Sequence, residues 1–171
     1  MKRTLGLIAA AVISTVTVDA AMADKRQLLG SYRAWDAFVL KKDDGEKICY
    51  MISQPKAKWP KSLRHGNPFI TVSHKPSRDI KNELNFVAAY NFKKDSKVSL
   101  IIDKRKNFSL FTQNDGAWGY DSAQDNAMAK ALKRGNNVSV KSTSSRGNKT
   151  SYRFSLSGFT AAHNAITKAC R

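Results

Sequence analysis

The chain has 171 residues, of which 42% are hydrophobic, and this composition is that of a globular protein and excludes a wholly disordered one. Its formal net charge of +17 attracts anionic partners such as lipopolysaccharide, acidic glycans, anionic lipids or nucleic acids. The lysines and arginines recur along the whole chain without forming one dominant block. This spread favours a generally basic surface over a dedicated nucleic-acid site.

The N-terminal leader, residues 1–23, has the pattern of a cleavable secretory signal. Lys2 and Arg3 give it a positive start, residues 5–18 form an apolar run, and the small-residue sequence Ala-Met-Ala ends it. The apolar run is short for a membrane-spanning helix, and an uncleaved anchor is the alternative. We predict a mature chain that begins at Asp24, has no transmembrane segment and is exported to the periplasm or cell envelope. Exposure at the cell surface stays open.

Residues 24–171 are predicted to form a single, mainly β domain. Alternating apolar and polar residues predict eight short strands. In chain order these cover residues 32–40, 47–53, 69–74, 84–92, 98–102, 108–112, a segment that starts at 138, and 152–156. Asp44-Gly45 is a hairpin signal between the first two strands, and the proline-rich, charged residues 54–68 are predicted to be a surface loop.

Two helices are expected to interrupt the strands. The first is predicted to begin with Ser122 as its cap and to end near Arg134, where basic residues suit the negative end of the helix dipole. The second is predicted to be capped by Ser157. Its apolar stripe comprises Phe159, Ala162, Ile166 and Ala169 or Cys170. This element order predicts an antiparallel β-sandwich or partly open barrel of about eight strands with two peripheral α-helices.

The chain has two cysteines, Cys49 and Cys170. An even number of cysteines in an exported chain predicts one disulfide, and two unpaired thiols are the alternative. The bond would tie an early strand to the end of the last helix. In the chain-entropy model, closing a loop of this length stabilises the fold by up to roughly 4–5 kcal/mol.

Catalytic and metal-binding patterns are weak in this sequence. The three histidines, His65, His74 and His163, are far apart and lack the spacing of metal ligands. We expect His163 to pack at the edge of the last helix's apolar stripe. No phosphate-binding glycine loop, nucleophile elbow or other catalytic motif occurs, and no cofactor is predicted. We therefore predict a protein without enzymatic activity, and a periplasmic hydrolase with a site assembled across the sheet is the alternative.

One tryptophan of the predicted loop, Trp59, lies among cations. The neighbouring basic residues are Lys56, Lys58, Lys61 and Arg64. An exposed aromatic side chain among cations can contact an anionic glycan, a lipid head group or a protein partner. A tryptophan folded back over the edge of the sandwich is the alternative. Trp35 and Trp118 are expected in the core or at its rim.

Several segments resemble the invasion-associated locus B family of bacterial exported proteins. The similar segments are residues 49–55 (Cys-Tyr-Met-Ile-Ser-Gln-Pro), 126–135 (Asn-Ala-Met-Ala-Lys-Ala-Leu-Lys-Arg-Gly) and 154–162 (Phe-Ser-Leu-Ser-Gly-Phe-Thr-Ala-Ala). The resemblance covers most of the mature chain, and the last segment is its most specific part. Some members of the family have a further cysteine shortly after the first tryptophan. Here Trp35 is followed by Asp-Ala-Phe-Val, so a second disulfide is not expected.

The resemblance implies a role in the invasion of host cells, including red blood cells, and brings no catalytic residues with it. We predict an exported envelope protein that promotes invasion as a non-enzymatic interaction module with a basic surface. Its expected partner is an anionic component of the envelope or host-cell surface, or a host protein, and no nucleic acid is expected. The alternative is a housekeeping periplasmic scaffold or chaperone-like protein.

Overall fold

A computed structural model describes residues 25–171 of the chain. The predicted leader, residues 1–23, and Asp24 lie outside the described residues. Eleven strands and two helices follow one another in the described part. They are β1 (Lys25–Tyr32), β2 (Trp35–Lys41), β3 (Lys47–Ser53), β4 (Ala57–Trp59), β5 (Phe69–Lys75), β6 (Ile80–Val87), β7 (Val98–Ile102), β8 (Lys106–Gln113), β9 (Gly116–Trp118), α1 (Ser122–Leu132), β10 (Asn137–Thr143), β11 (Lys149–Ser155) and α2 (Phe159–Ala169).

The strands form one antiparallel sheet in the order β1-β2-β3-β5-β6-β9-β8-β7-β10-β11-β4, whose two end strands do not pair with each other. Phe86 of β6 and Tyr152 of β11 are five strands apart in this order, which is about 24 Å in a flat sheet. Their ring centroids are 5.6 Å apart. The sheet is therefore strongly curled and encloses its core, which confirms the predicted mainly β, sandwich-like or open-barrel architecture.

The core is made by the inward-facing residues of the strands. Alternate residues of a strand face opposite sides, so strands with an apolar residue at every second position bury one complete face. Leu100, Val140 and Tyr152 lie directly or nearly opposite one another on β7, β10 and β11, and all three are fully buried. Trp35 is also buried, as predicted. Its indole Nε1 donates to the carbonyl oxygen of Ser155 at 3.0 Å.

Both predicted helices are present, but their caps differ from the prediction. Helix α1 is capped by Asp121, whose carboxylate accepts a hydrogen bond from the backbone N–H of Gln124 at 2.7 Å, and not by Ser122. Helix α2 is capped by Gly158 and not by Ser157. Gly158 has a φ of +89°, and a Cβ at this position would lie 1.8 Å from the carbonyl oxygen of Tyr32. This close approach of two backbone segments explains why a glycine, and no hydroxyl cap, begins α2.

Helix α2 packs against β1, β2, β3 and β5 and is bonded to β3 through the predicted disulfide. Cys49 and Cys170 have Cα atoms 5.9 Å apart, and 121 residues separate them in sequence. Phe159, Ala162 and Ile166 of the predicted stripe are buried in the common core. Helix α1 packs against β6. Neither helix of the described residues is long and apolar enough to span a membrane.

The prediction of about eight strands missed β1, β4 and β9. The first half of β1 is exposed and mostly polar, so it lacks the alternating pattern of a half-buried strand. Strands β4 and β9 have three residues each, which is too short for any periodicity to be visible. The strand predicted over residues 84–92 ends at Val87 because Ala89 takes a positive φ of +61° and leaves the ladder.

Candidate functional site

The predicted contact patch is centred on the edge strand β4, which pairs only with β11. Trp59 lies opposite Ser151, and Lys58 lies opposite the buried Tyr152. Neighbouring residues of a strand point to opposite faces, so Trp59 faces outwards while Lys58 faces the core side. The strand thus divides the predicted patch between two surfaces.

Trp59 is 60% exposed on the outer face of the sheet and is not folded over its edge. On the other side, Lys58 is held in place, because its Nζ donates to the carbonyl oxygen of Gly66 at 2.8 Å. Lys56, Lys61 and Arg64 are exposed to solvent. A contact patch must be exposed to solvent, and Trp59 and these three cations are exposed. That they contact a partner stays a prediction.

Arg64 lies beside Arg146 in a cavity of about 550 Å³ between the loop after β4 and the β10–β11 turn. We call this cavity the loop cleft. His65, on the same loop, is anchored at both ring nitrogens: Nε2 is 2.7 Å from the carbonyl oxygen of Pro60, and Nδ1 is 2.9 Å from the hydroxyl of Tyr152. A carbonyl oxygen only accepts, so Nε2 carries the proton and Nδ1 accepts from the tyrosine. Burial raises the pKa of Tyr152, which keeps this hydroxyl protonated.

A network of hydroxyl groups supports the loop cleft from below. The hydroxyl of Tyr90 is 2.8 Å from Oγ of Ser142 and 2.5 Å from Oγ1 of Thr150. The two smaller hydroxyls are 2.9 Å apart. Because each hydroxyl can donate one hydrogen bond and accept others, the three groups satisfy one another and fix the floor between β10 and β11.

A second cavity of about 560 Å³ lies on the outer face of the sheet, and we call it the sheet-face groove. Its lining includes Trp59 and three lysines: Lys97, Lys141 and Lys149. Thr150 lines both the groove and the loop cleft, so the two cavities adjoin. We refer to the two cavities together as the basic surface. Its charged side chains are Arg64, Lys97, Lys141, Arg146 and Lys149.

The positive charge of the basic surface is not neutralised by neighbouring carboxylates. The sequence has no aspartate or glutamate in residues 47–78 or in residues 126–171, which supply β4, the following loop, β10 and β11. The ion pairs found within the described residues involve Glu46, Asp79 and Glu83, and none of them uses a cation of the basic surface. The basic surface is therefore a region of uncompensated positive potential.

Of the predicted contact residues, Trp59 and Arg64 line the two cavities, whereas Lys56, Lys58 and Lys61 do not. The sequence analysis did not single out the other lining cations, which are Lys97, Lys141, Arg146 and Lys149. They come from other strands and turns, and only the pairing of β4 with β11 brings them near Trp59. Two signals were present in the sequence. Lys141 occupies an outward position between the buried Val140 and Ser142, and residues 126–171 contain no aspartate or glutamate.

Two of the three histidines meet where α2 packs against β5. The rings of His74 and His163 have centroids 5.3 Å apart, so these residues are close in space although they are distant in sequence. Nδ1 of His74 accepts from the backbone N–H of Asn82 at 3.0 Å, and Nε2 is 3.1 Å from Oγ1 of Thr167. Nε2 of His163 is 2.6 Å from Oδ1 of Asn82. His163 is buried beside Phe159, as predicted for a packed histidine.

Both of these histidines are neutral at physiological pH. Burial lowers the pKa of His74, and burial together with the charge of Lys133 lowers the pKa of His163 to about 4. A cavity of about 570 Å³ adjoins them, lined also by Lys81. Within residues 25–171, no group of three or more histidine, cysteine, aspartate or glutamate side chains is arranged to hold a metal ion.

Comparison with known proteins identifies a family. The family model described as "Invasion associated locus B (IalB) protein" matches residues 35–167, which include every strand from β2 onwards and most of α2. No curated protein and no solved structure matches the chain. The matched region contains Cys49 and the strands that form the basic surface. Since the match covers more than half of the residues, this chain belongs to the invasion-associated locus B family.

Proposed function

We propose that this protein is exported to the cell envelope and promotes host-cell invasion as a non-enzymatic interaction module. Its basic surface binds an anionic component of the envelope or of the host-cell surface. The observation that carries this proposal is the set of cations without ion-pair partners among the described residues that lines the two cavities beside the exposed Trp59, namely Arg64, Lys97, Lys141, Arg146 and Lys149. An invasion-related role agrees with the family of the chain.

Several cations are needed because a single exposed ion pair contributes little free energy, typically below about 1 kcal/mol. A set of like charges around two adjoining cavities acts collectively. It raises the local concentration of an anionic partner and accelerates encounter, and both effects weaken when salt screens the charges. The exposed aromatic side chain of Trp59, at the edge of this surface, adds a contact that desolvates on binding.

The state of the histidines supports the non-enzymatic reading. General acid–base catalysis at neutral pH is most efficient with a pKa near the working pH, whereas burial holds both His74 and His163 below it. His65 is engaged at both ring nitrogens. A periplasmic hydrolase that used a histidine as its acid or base would need one of these groups to be released towards a substrate. A hydrolase screen on the purified protein tests that alternative directly.

The proposal is tested by removing the two arginines of the loop cleft, Arg64 and Arg146, together with the exposed Lys61 of the same loop. The triple variant Lys61→Ser/Arg64→Ser/Arg146→Ser should bind carboxylate-coated beads several-fold more weakly than the unchanged protein at low salt, and the difference should vanish at high salt. A matched control removes three exposed lysines from the other half of the sheet and from α2: Lys41→Ser/Lys81→Ser/Lys168→Ser. Equal loss in both variants would mean that net charge alone matters, and the basic surface would lose its proposed role.

The cellular part of the proposal is tested by accessibility on intact bacteria. A direct contact with host cells requires that antibody or protease reaches the protein before the outer membrane is permeabilised. Protection on intact cells, together with envelope defects in a deletion strain grown without host cells, would instead identify the housekeeping periplasmic scaffold.

A further inference from the structure

The outer face of the sheet carries a straight row of residues that ends at Trp59. Ser109, Ser99, Lys141, Ser151 and Trp59 lie directly opposite one another on β8, β7, β10, β11 and β4. With neighbouring strands about 4.8 Å apart, the row is about 19 Å long. Four residues of the row, Ser99, Lys141, Ser151 and Trp59, line the sheet-face groove, so the groove crosses the strands.

A second aromatic group lies at the far end of this face. Phe111 follows Ser109 by two residues and therefore faces the same side, and its ring stacks on Trp118 with centroids 5.8 Å apart. Tyr120 packs on Phe111 at 5.6 Å, and Nζ of Lys97 lies 6.0 Å from the centroid of the Tyr120 ring. Lys97 thus links the groove to the second aromatic group.

Exposed aromatic side chains are concentrated on this face. Four large hydrophobic side chains are exposed within the described residues, namely Leu28, Trp59, Phe111 and Tyr120. The three aromatic ones lie at the two ends of the row, while Leu28 lies on the distant edge strand β1. Exposed aromatic groups on both sides of a charged groove are the usual composition of a contact surface.

The floor between the two aromatic groups is small, hydroxylated and cationic. Ser99, Ser109 and Ser151 leave the backbone accessible and offer hydroxyl donors and acceptors. Lys141 stands at the centre of the row, and Lys97 and Lys149 also line the groove. Among the described residues no carboxylate lines this groove, so the charged side chains that line it attract an incoming acidic group.

These features together favour an extended anionic polysaccharide as the ligand of the groove. The C–H face of a sugar ring packs on the electron-rich face of an aromatic ring, its hydroxyls bond to serines and lysines, and its acidic groups pair with lysines. The groove is a local depression on the outward face, which suits a narrow chain better than a flat bilayer surface. A single strand of nucleic acid stacks successive bases on neighbouring aromatic side chains, whereas here serines separate the two aromatic groups.

We propose that the sheet-face groove binds an extended anionic polysaccharide, with sugar rings packed on Trp59 and Tyr120 and acidic groups paired with Lys97, Lys141 and Lys149. This inference rests on the proposed function, because it names the chemical class of the anionic partner. Binding by charge alone would not depend on the aromatic side chains. Binding of a polysaccharide requires that these uncharged side chains also contribute to the affinity.

The test uses polygalacturonate, a polymer of uronic acids, as the probe and the exported protein with its disulfide intact. Trp59→Ala and Tyr120→Ala should each weaken binding to the polymer about tenfold at constant salt, and Lys141→Ser should weaken it to a similar extent. Leu28→Ala and Lys41→Ser are the matched controls and should leave the affinity unchanged. In an NMR titration, the indole N–H of Trp59 should shift on adding polygalacturonate and stay unchanged with neutral dextran.

Each contrary outcome has its own meaning. If Lys141→Ser weakens binding while both aromatic variants bind like the unchanged protein, the polysaccharide inference is wrong and the proposed function stands. If a single-stranded oligonucleotide or a phosphatidylglycerol vesicle competes for the same aromatic side chains with higher affinity, the ligand class is wrong. If neither the lysine nor the arginine variants of the basic surface change binding to any anionic probe, the proposed function fails as well.

Discussion

Asn82 joins the two buried histidines: its backbone N–H donates to Nδ1 of His74, and its side-chain oxygen lies 2.6 Å from Nε2 of His163. Asn82 can do this because it has a φ of +61°, which takes it out of the regular β6 ladder. Protonation of His74 at Nδ1 would remove the acceptor that this N–H needs. The network is therefore built for neutral imidazoles and ties β5, β6 and α2 together.

The fold should lose stability as the pH falls from about 6.5 to about 4. The pKa of His163 is lowered to about 4 in the folded state, whereas the unfolded chain binds a proton near 6.5. The stabilisation is complete above the unfolded pKa and is lost as the pH falls through the folded pKa, by an amount on the order of 2–3 kcal/mol. Urea unfolding between pH 4 and pH 8 measures it. The variant His163→Gln should show a flatter profile, and an unchanged pH profile would contradict this assignment.

Asp125 should have the opposite pH dependence. Its buried carboxyl accepts from the backbone N–H of Leu84 at 3.3 Å, and burial raises its pKa to about 6. The protonated form is favoured in the folded state, so this contribution to stability is present below pH 4 and is lost as the pH rises through about 6. Asp125→Asn keeps an oxygen acceptor and should be more stable at pH 8 by about 1–2 kcal/mol. The exposed Asp36→Asn serves as the control and should leave the unfolding midpoint unchanged.

Removing the disulfide should cost about 2–5 kcal/mol of unfolding free energy. The double variant Cys49→Ser/Cys170→Ser leaves no unpaired thiol. Because the bond closes a long loop, its removal destabilises the fold mainly by raising the conformational entropy of the unfolded chain. Denaturant titrations with and without reductant measure the effect. Reductant should lower the midpoint of the unchanged protein and leave that of the double variant where it is. A variant as stable as the oxidised protein would show that the core alone holds α2.

Gly158 and Gly147 form a matched pair for testing the start of α2. Both have a positive φ, +89° and +84°, but a Cβ at Gly158 would collide with the carbonyl oxygen of Tyr32, whereas a Cβ at Gly147 meets nothing within 4 Å. Gly147→Ala should therefore cost only about 1–2 kcal/mol for its left-handed backbone. Gly158→Ala should cost clearly more, because α2 must also move away from β1. Thermal unfolding of the two variants compares them directly, and equal losses would show that the close approach is easily relieved.

Apolar-rich strands between two turns could be predicted closely from sequence. The predicted segments 47–53 and 98–102 coincide with β3 and β7, because each is an apolar-rich run with polar turn residues at both ends. The caps of the helices could not be predicted as well. Asp121 and Ser122 both have side-chain oxygens that can cap a helix, so the sequence does not distinguish between them. The need for a glycine at Gly158 depends on how closely the backbone of Tyr32 approaches it.

The candidate site could be predicted only in part from the sequence, because strand pairing determines which side chains line it. Nothing local in residues 57–59 shows that this short segment pairs with β11 and so brings Trp59 next to Lys141 and Lys149. The proximity of His74 and His163 also depends on contacts between residues that are distant in sequence. Cys49 lies opposite His74 on the neighbouring strand, so the bond from Cys49 to Cys170 also holds α2, and with it His163, beside His74.

The two end strands of the sheet have features that affect the solubility of the protein. An open sheet presents unpaired backbone groups at both ends, and such ends promote edge-to-edge aggregation. Here β4 has only three residues and is followed by Pro60, which has no N–H to donate. Strand β1 begins with Lys25 and Arg26 and has an irregular register between Leu28 and Gly30. Charge, proline and a bulge thus disfavour the pairing of either end strand with a second copy of the chain.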